Sequence, residues 1–268
     1  MRKKTSKQKD TQKFKHFLLP PKEQRRKGQS LIEMALIIPI LLIMVLGLVE
    51  VAAFMGAYLD ALDLVREAAR FASLRDPFYD DATDMNCSTE AFDYYYDTVC
   101  IFSPPAGDPR CVPNDPFCNG VNSATTLDMT RDDIVISAYT VIDNGVTEAW
   151  PKAGTSGYVV SNGYYAYSDY DSDTTNNGNW QKNCEGDVVR FTPYFTTSKM
   201  NSYLSTTAPP KRAFVAVEYY YCYDQMLKAP ILYQIFPEVI RIHVYTVMSL
   251  PAAIPTSTPY AGTPTPTP

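Results

Sequence analysis

Met34 to Val49 (MALIIPILLIMVLGLV) is a run of 16 residues without a charge, and beyond Glu50 the apolar character resumes through Val51–Met55. A bilayer core of about 30 Å takes about 20 helical residues to cross. Ile32–Phe54 supplies that length if Glu33 and Glu50 lie toward the two faces or against protein partners. A secretory signal peptide would have an apolar core of about 7–15 residues followed by a small-residue cleavage site. Here the run is longer and no such site follows it. Pro39 sits inside the run. A proline there removes one backbone bond and kinks the helix, which a membrane tolerates when neighbouring groups satisfy the freed carbonyl. An acid within such a helix is costly unless something pairs with it, which makes Glu33 a candidate functional residue.

Charge is split across this run. Residues 1–27 carry 11 Lys/Arg against Asp10 and Glu23, a net of +9, whereas the remainder carries a net of -14. The positive-inside rule keeps the basic flank cytoplasmic and puts the C-terminal part outside. With a membrane helix following directly, the basic stretch reads as a membrane flank and not as a nucleic-acid-binding arm. Its polar composition predicts a disordered leader, and Pro20-Pro21 blocks any helix from running through it.

All six cysteines (Cys87, Cys100, Cys111, Cys118, Cys184 and Cys222) fall after the apolar run. An even number on the outer side suggests up to three disulfides in an oxidising compartment, with 15 possible pairings. Zinc is disfavoured: there is no C-x-x-C pair, and His16 and His243 complete no ligand set.

Past the membrane the helix is expected to continue to about Arg75, for about 68 Å from Ser30 at 1.5 Å per residue. Leu62, Val65, Ala69 and Ala72 recur at helical spacing, Arg66 and Arg70 share the opposite face, and Asp76-Pro77 marks the stop. One short helix is expected near 88–97. Strands are expected at 134–142, more weakly at 157–160, and at 213–223 and 239–248, with a turn at Asp143-Asn144-Gly145 and a long loop over 161–186. The apolar segment within 224–238 is expected to lie at the membrane surface. The twenty tyrosines are expected to serve mainly as strand and core residues.

The helix resembles the TadE-like minor pilins (pseudopilins) of the tight-adherence pilus system. The resemblance rests on Arg26-Lys27-Gly28-Gln29-Ser30-Leu31-Ile32-Glu33-Met34-Ala35, Pro39, Leu46-Gly47-Leu48-Val49-Glu50 and Arg66-Glu67-Ala68-Ala69-Arg70-Phe71-Ala72, about 45 residues in all. It implies that a prepilin peptidase cuts after Gly28 and leaves Gln29 as the new N-terminus. It further implies that Glu33 pairs with the N-terminal amine of a neighbouring subunit, with Glu50 as a second pairing candidate. Opposite charges in a low dielectric attract strongly, and an unpaired one is costly.

Other motifs are weaker. Asp169, Asp171 and Asp173 suggest a calcium loop, but the EF-hand pattern fails at Thr174 and Trp180, so the stretch reads as an acidic loop. There is no G-x-S-x-G, P-loop or H-E-x-x-H, and His243 falls mid-strand with no acid or nucleophile beside it, so no enzyme and no cofactor are expected. The expected fold class is α+β: one long N-terminal transmembrane helix, then an extracytoplasmic disulfide-tied domain with a small antiparallel sheet. The expected parts are a basic cytoplasmic leader (1–28), the helix and its extension (29–75), the outer domain (76–250) and a Pro/Thr-rich tail (251–268). The expected function is pilus assembly, as a single-pass membrane protein in contact with the bilayer, other pilin-like subunits, the assembly machinery and prepilin peptidase, and not with nucleic acid. The alternative is a signal-anchored surface protein whose outer domain binds a ligand or cell-wall polymer.

Overall fold

A stretch with no internal breaker except Pro39 forms one helix, α1 (Lys22–Ser73). The computed structural model describes residues 22–78, 87, 93–105, 107–109, 111, 118, 120, 121, 123, 125, 127–152, 163–169, 178–204, 209–228 and 237–254. Helix α1 starts at Lys22, directly after Pro21, so residues 22–27 are helical where a disordered leader was expected. The chain divides into two compact units, residues 1–49 and 50–268.

Within the second unit the elements are α2 (Tyr94–Cys100), β1 (Asp133–Ile142), β2 (Gly145–Trp150), β3 (Tyr165–Ala166), α3 (Thr197–Tyr203), β4 (Lys211–Asp224) and β5 (Val239–Ser249). The strands form one antiparallel sheet of order β2-β1-β4-β5, with β3 also paired to β1. The α+β class is as expected, and so are the three longer strands. Strand β2 and helix α3 were not foreseen. Part of the expected loop over 161–186 is β3 followed by two 3-10 turns, at Tyr167–Asp169 and Asn179–Gln181. The expected strand at 157–160 lies outside the described residues, as does most of the tail. The β1–β2 connection is the expected turn: Asp143 and Asn144 have φ of 48° and 65°, the pair of left-handed residues that a two-residue hairpin loop needs.

Side-chain alternation gives the sheet two differently covered faces. Ile134, Ile136, Val215, Val217, Tyr219, Ile242 and Val244 pack with the C-terminal turns of α1 and with α2. On α1 this contact is made by Ala61, Leu64, Val65, Ala68, Ala69 and Ala72, all buried. Four of the six are alanine, so the helix backbone can approach the sheet closely. The solvated face carries Asp63–Arg66 and Glu67–Arg70 ion pairs at 3.1 and 2.6 Å. The other sheet face, with Val135, Tyr139, Ala216 and Tyr220, is covered by the segment holding Trp180, Phe195 and Met200. Strand β1 is thereby buried on both sides. Most of the described tyrosines of the domain serve this core: Tyr94, Tyr95, Tyr139, Tyr165, Tyr219 and Tyr220 are almost fully buried.

All six cysteines are paired, as Cys87–Cys100, Cys111–Cys118 and Cys184–Cys222. The last bond ties the loop after Trp180 to the C-terminal end of β4.

Candidate functional site: an apolar helix and its acids

Among the described residues one helix is long and apolar enough to cross a membrane. Its large apolar side chains point outward on every side, from Leu31 at 72% exposure to Val49 at 44%. A soluble monomer rarely exposes apolar patches beyond a few hundred Å², so this surface requires lipid or other helices around it. The chain fits a single-pass membrane protein. Gly47 and Gly56 have no heavy atom within 4 Å of where a Cβ would stand, so each leaves open room beside the helix.

Gly28 and Gln29 lie on the backbone of α1. Glu33 is on the exposed surface of the same helix. Glu50 has a different setting. Its Oε1 accepts from the Tyr223 hydroxyl and from the Met226 N–H, both at 3.0 Å, and its Oε2 accepts from the Leu227 N–H at 3.0 Å. The carboxylate of a helix residue thus holds the chain just after β4, with Phe54 edge-on to the Tyr223 ring at 5.5 Å. The expected partner for Glu50 was a second subunit, and the partners present belong to its own chain. Burial, with the Glu50 carboxylate beside it, pushes the Tyr223 hydroxyl up to about 12, so it remains a donor at any physiological pH.

The same arrangement recurs further along the helix and in the sheet. Asp60 accepts from the Ser123 hydroxyl at 2.6 Å, from the Thr125 N–H at 2.7 Å and from the Thr125 hydroxyl. Buried Asp133 accepts from the N–H groups of Ile134, Ser168 and Trp180 and from the Ser168 hydroxyl. Buried Asp132 accepts from the Asp128 and Cys222 N–H groups at 2.9 and 2.8 Å. Buried Glu218 accepts from the Tyr194 and Phe195 N–H groups, from the Tyr220 hydroxyl at 2.6 Å, and lies 3.0 Å from His243 Nε2. His243 therefore does have an acid partner, contrary to expectation, because β4 and β5 bring it across the sheet. It also stacks on Tyr220 at 4.3 Å between ring centres. Tyr194 and Tyr245 lie against the His243 ring, 5.5 and 5.6 Å between ring centres.

Of the calcium candidates, Asp169 accepts from Trp180 Nε1 at 3.2 Å, and Asp171 and Asp173 lie outside the described residues. No group of metal-holding side chains occurs among the described residues.

None of the acids that hold the domain together was singled out from sequence, apart from Glu50. Their partners stand up to 90 residues away, and no local spacing signals such a pair. No curated protein and no solved structure matches the chain significantly. The helix is different: residues 28–70, from the glycine before Gln29 to Arg70, match the model of the TadE-like protein family, the one its motifs resemble.

Proposed function

We propose that the chain acts as a pseudopilin in pilus assembly of the tight-adherence type, working by association through its N-terminal helix. The observation that supports this most is the coincidence of the TadE-like match over residues 28–70 with an apolar helix surface that the chain itself leaves uncovered. In this reading the leader is removed between Gly28 and Gln29. The new amine of Gln29 on one subunit meets the Glu33 carboxylate of the next, five positions into the mature chain. Taking either charge alone into the bilayer is costly, so the pair fixes register as well as affinity. Gly47 and Gly56 leave space for close approach of another helix. Glu50, the second pairing candidate, also anchors the chain after β4 within its own subunit.

The scissile bond lies in helical backbone. A peptidase must open that turn before cutting, and a glycine lowers the cost of opening by about 1 kcal/mol relative to alanine. Peptide mapping of the N-terminus of the membrane-bound protein in its native host tests the reading. A start at Gln29 is expected, with Gly28→Ala slowing the cut about fivefold and Glu33→Ala leaving it intact but abolishing co-assembly with other pilin-type subunits. An intact leader in the wild-type chain would sink the processed-subunit reading in favour of a plain anchored surface protein.

A further inference from the structure

Arg241 of β5 stands directly opposite Cys222 of β4 in the sheet register. Side chains so placed share one face and meet across the strands. The Arg241 Nη1 donates to Cys222 Sγ at 2.9 Å and to the Arg131 carbonyl at 2.8 Å, and its Nη2 donates to the Asn179 carbonyl at 2.9 Å. The two carbonyls belong to the segment before β1 and to the 3-10 turn Asn179–Gln181. Neither contact passes through the disulfide, so the guanidinium is held on the Cys222 sulfur whether the bond is closed or open.

The two sulfurs of Cys184–Cys222 differ in setting. Cys222 is fully buried, whereas Cys184 is half-buried and the residues after it, 185–189, are exposed. Thiol–disulfide exchange is a displacement at sulfur. Its rate depends on which sulfur can be reached, and it rises as the leaving thiol becomes more acidic. A guanidinium beside a sulfur favours the thiolate, whereas burial opposes it. Arg241 puts a charge-assisted donor on the one sulfur that burial would otherwise penalise.

The remaining charges near the pair are few. Asp132 accepts from the Cys222 N–H at 2.8 Å, and Asp133 follows it at the start of β1. Arg190 lies over the same Tyr220 ring as Arg241. Arg131 is engaged by Asp128 and Asp224, and Glu218 pairs with His243 further along the sheet. Burial pushes Asp132 up to about 7, so the charge that most opposes a Cys222 thiolate fades as the pH falls.

We propose that Cys184–Cys222 is a thiol–disulfide exchange site, attacked at Cys184 by the thiolate of a dithiol, with Cys222 leaving as a thiolate on the Arg241 guanidinium. The attack forms a mixed disulfide between the dithiol and Cys184, and the electron pair of the broken S–S bond passes to Cys222. The second thiol of the dithiol then gives its proton to water and closes on its own first sulfur. Cys184 is released and takes up a proton. The dithiol is oxidised by two electrons and the Cys184–Cys222 bond is reduced by two. Run in reverse, the Cys222 thiolate attacks Cys184 held as a mixed disulfide, and the bond is installed.

The test uses the full chain in detergent micelles. Glutathione, quenched in denaturing acid and mapped by peptide mass, is expected on Cys184 with Cys222 as the free thiol. Glutathione on Cys222 overturns the proposal, as does a bond that dithiothreitol leaves closed in the folded chain. Arg241→Met is expected to slow opening by dithiothreitol about tenfold. Arg241→Lys, which keeps the charge, recovers most of that loss, and Cys111–Cys118 opens at its wild-type rate in both. Opening of Cys184–Cys222 at the wild-type rate in Arg241→Met overturns the proposal. If Cys111–Cys118 also opens faster in that variant, its fold has loosened, and the pH dependence of the wild-type chain decides. Reclosure from the Cys184 mixed disulfide is expected to slow less than about twofold from pH 7.5 to 6.5, where an ordinary thiol with a pKa of about 8.5 slows about tenfold. A tenfold loss overturns the proposal.

Discussion

The side chains that give this domain its shape are acids whose partners are remote in sequence. Each gathers two to four donors and fastens a loop to a helix or strand: Glu50 the segment after β4, Asp60 the Ser123–Thr125 loop, Asp132 the Asp128 turn to β4, Asp133 the Ser168 and Trp180 turns to β1, Glu218 the turn before α3. Such a group is cheap to keep while all its donors are made and expensive once one is lost. Burial pushes Asp132 up to about 7, against its Cys222 and Asp128 N–H donors, which pull it down. Burial likewise pushes Asp97, which accepts from the Asp93 N–H, up to about 7. A carboxyl raised in the folded state binds its proton more tightly there than in the unfolded chain. Its contribution is therefore complete below the ordinary carboxylate range and is lost as pH rises through about 7. Thermal unfolding of the disulfide-intact protein should show stability falling between pH 4 and pH 7.5, by an amount on the order of 2 kcal/mol for Asp132. Asp132→Asn should flatten that slope; an unchanged slope would remove Asp132 from the account.

At the level of elements, legibility followed periodicity and length. Strands β1, β4 and β5 are runs of at least ten residues rich in Val, Ile and Tyr, and all three are recognisable from sequence. Strand β2, Gly145–Trp150, is six residues of mixed polarity with Thr147 and Glu148 exposed, and takes its strand form from the hairpin turn and from β1. Helix α3 has one buried residue, Met200, and is started by the Thr196 side chain accepting from the Lys199 N–H at 3.2 Å; seven mostly polar residues leave no apolar period to detect. The even cysteine count suggested up to three bonds, and the bonds and their pairing came with the fold. Cys184–Cys222 closes the longest loop of the three, a separation of 38 residues. Its removal by the double substitution Cys184→Ala, Cys222→Ala should cost about 3–4 kcal/mol. It should lower the denaturant midpoint more than loss of Cys111–Cys118, which closes only seven residues. The reverse order would show that the loop after Trp180 is already held by Asp133 and Arg241 without the bond.

At the scale of the whole molecule, residues 50–268 hold a complete core of helix, sheet and disulfides, and the uncovered apolar surface is concentrated before them. The full chain is expected to stay with the membrane fraction in alkaline carbonate, and a chain beginning at Glu50 to be released in soluble, disulfide-bonded form. Release of the full chain by carbonate would contradict a membrane-spanning helix. The three disulfides carry a further consequence. Reducing compartments keep thiols apart and oxidising ones join them. Because no cysteine among the six is left over, the folded chain with all three bonds closed carries no free thiol. A molecule delivered across the membrane is inert to a thiol reagent, and one stranded behind it displays up to six reactive sulfurs. The cysteines that brace the domain are thereby also a molecular postmark, recording on each copy the side of the membrane on which it folded.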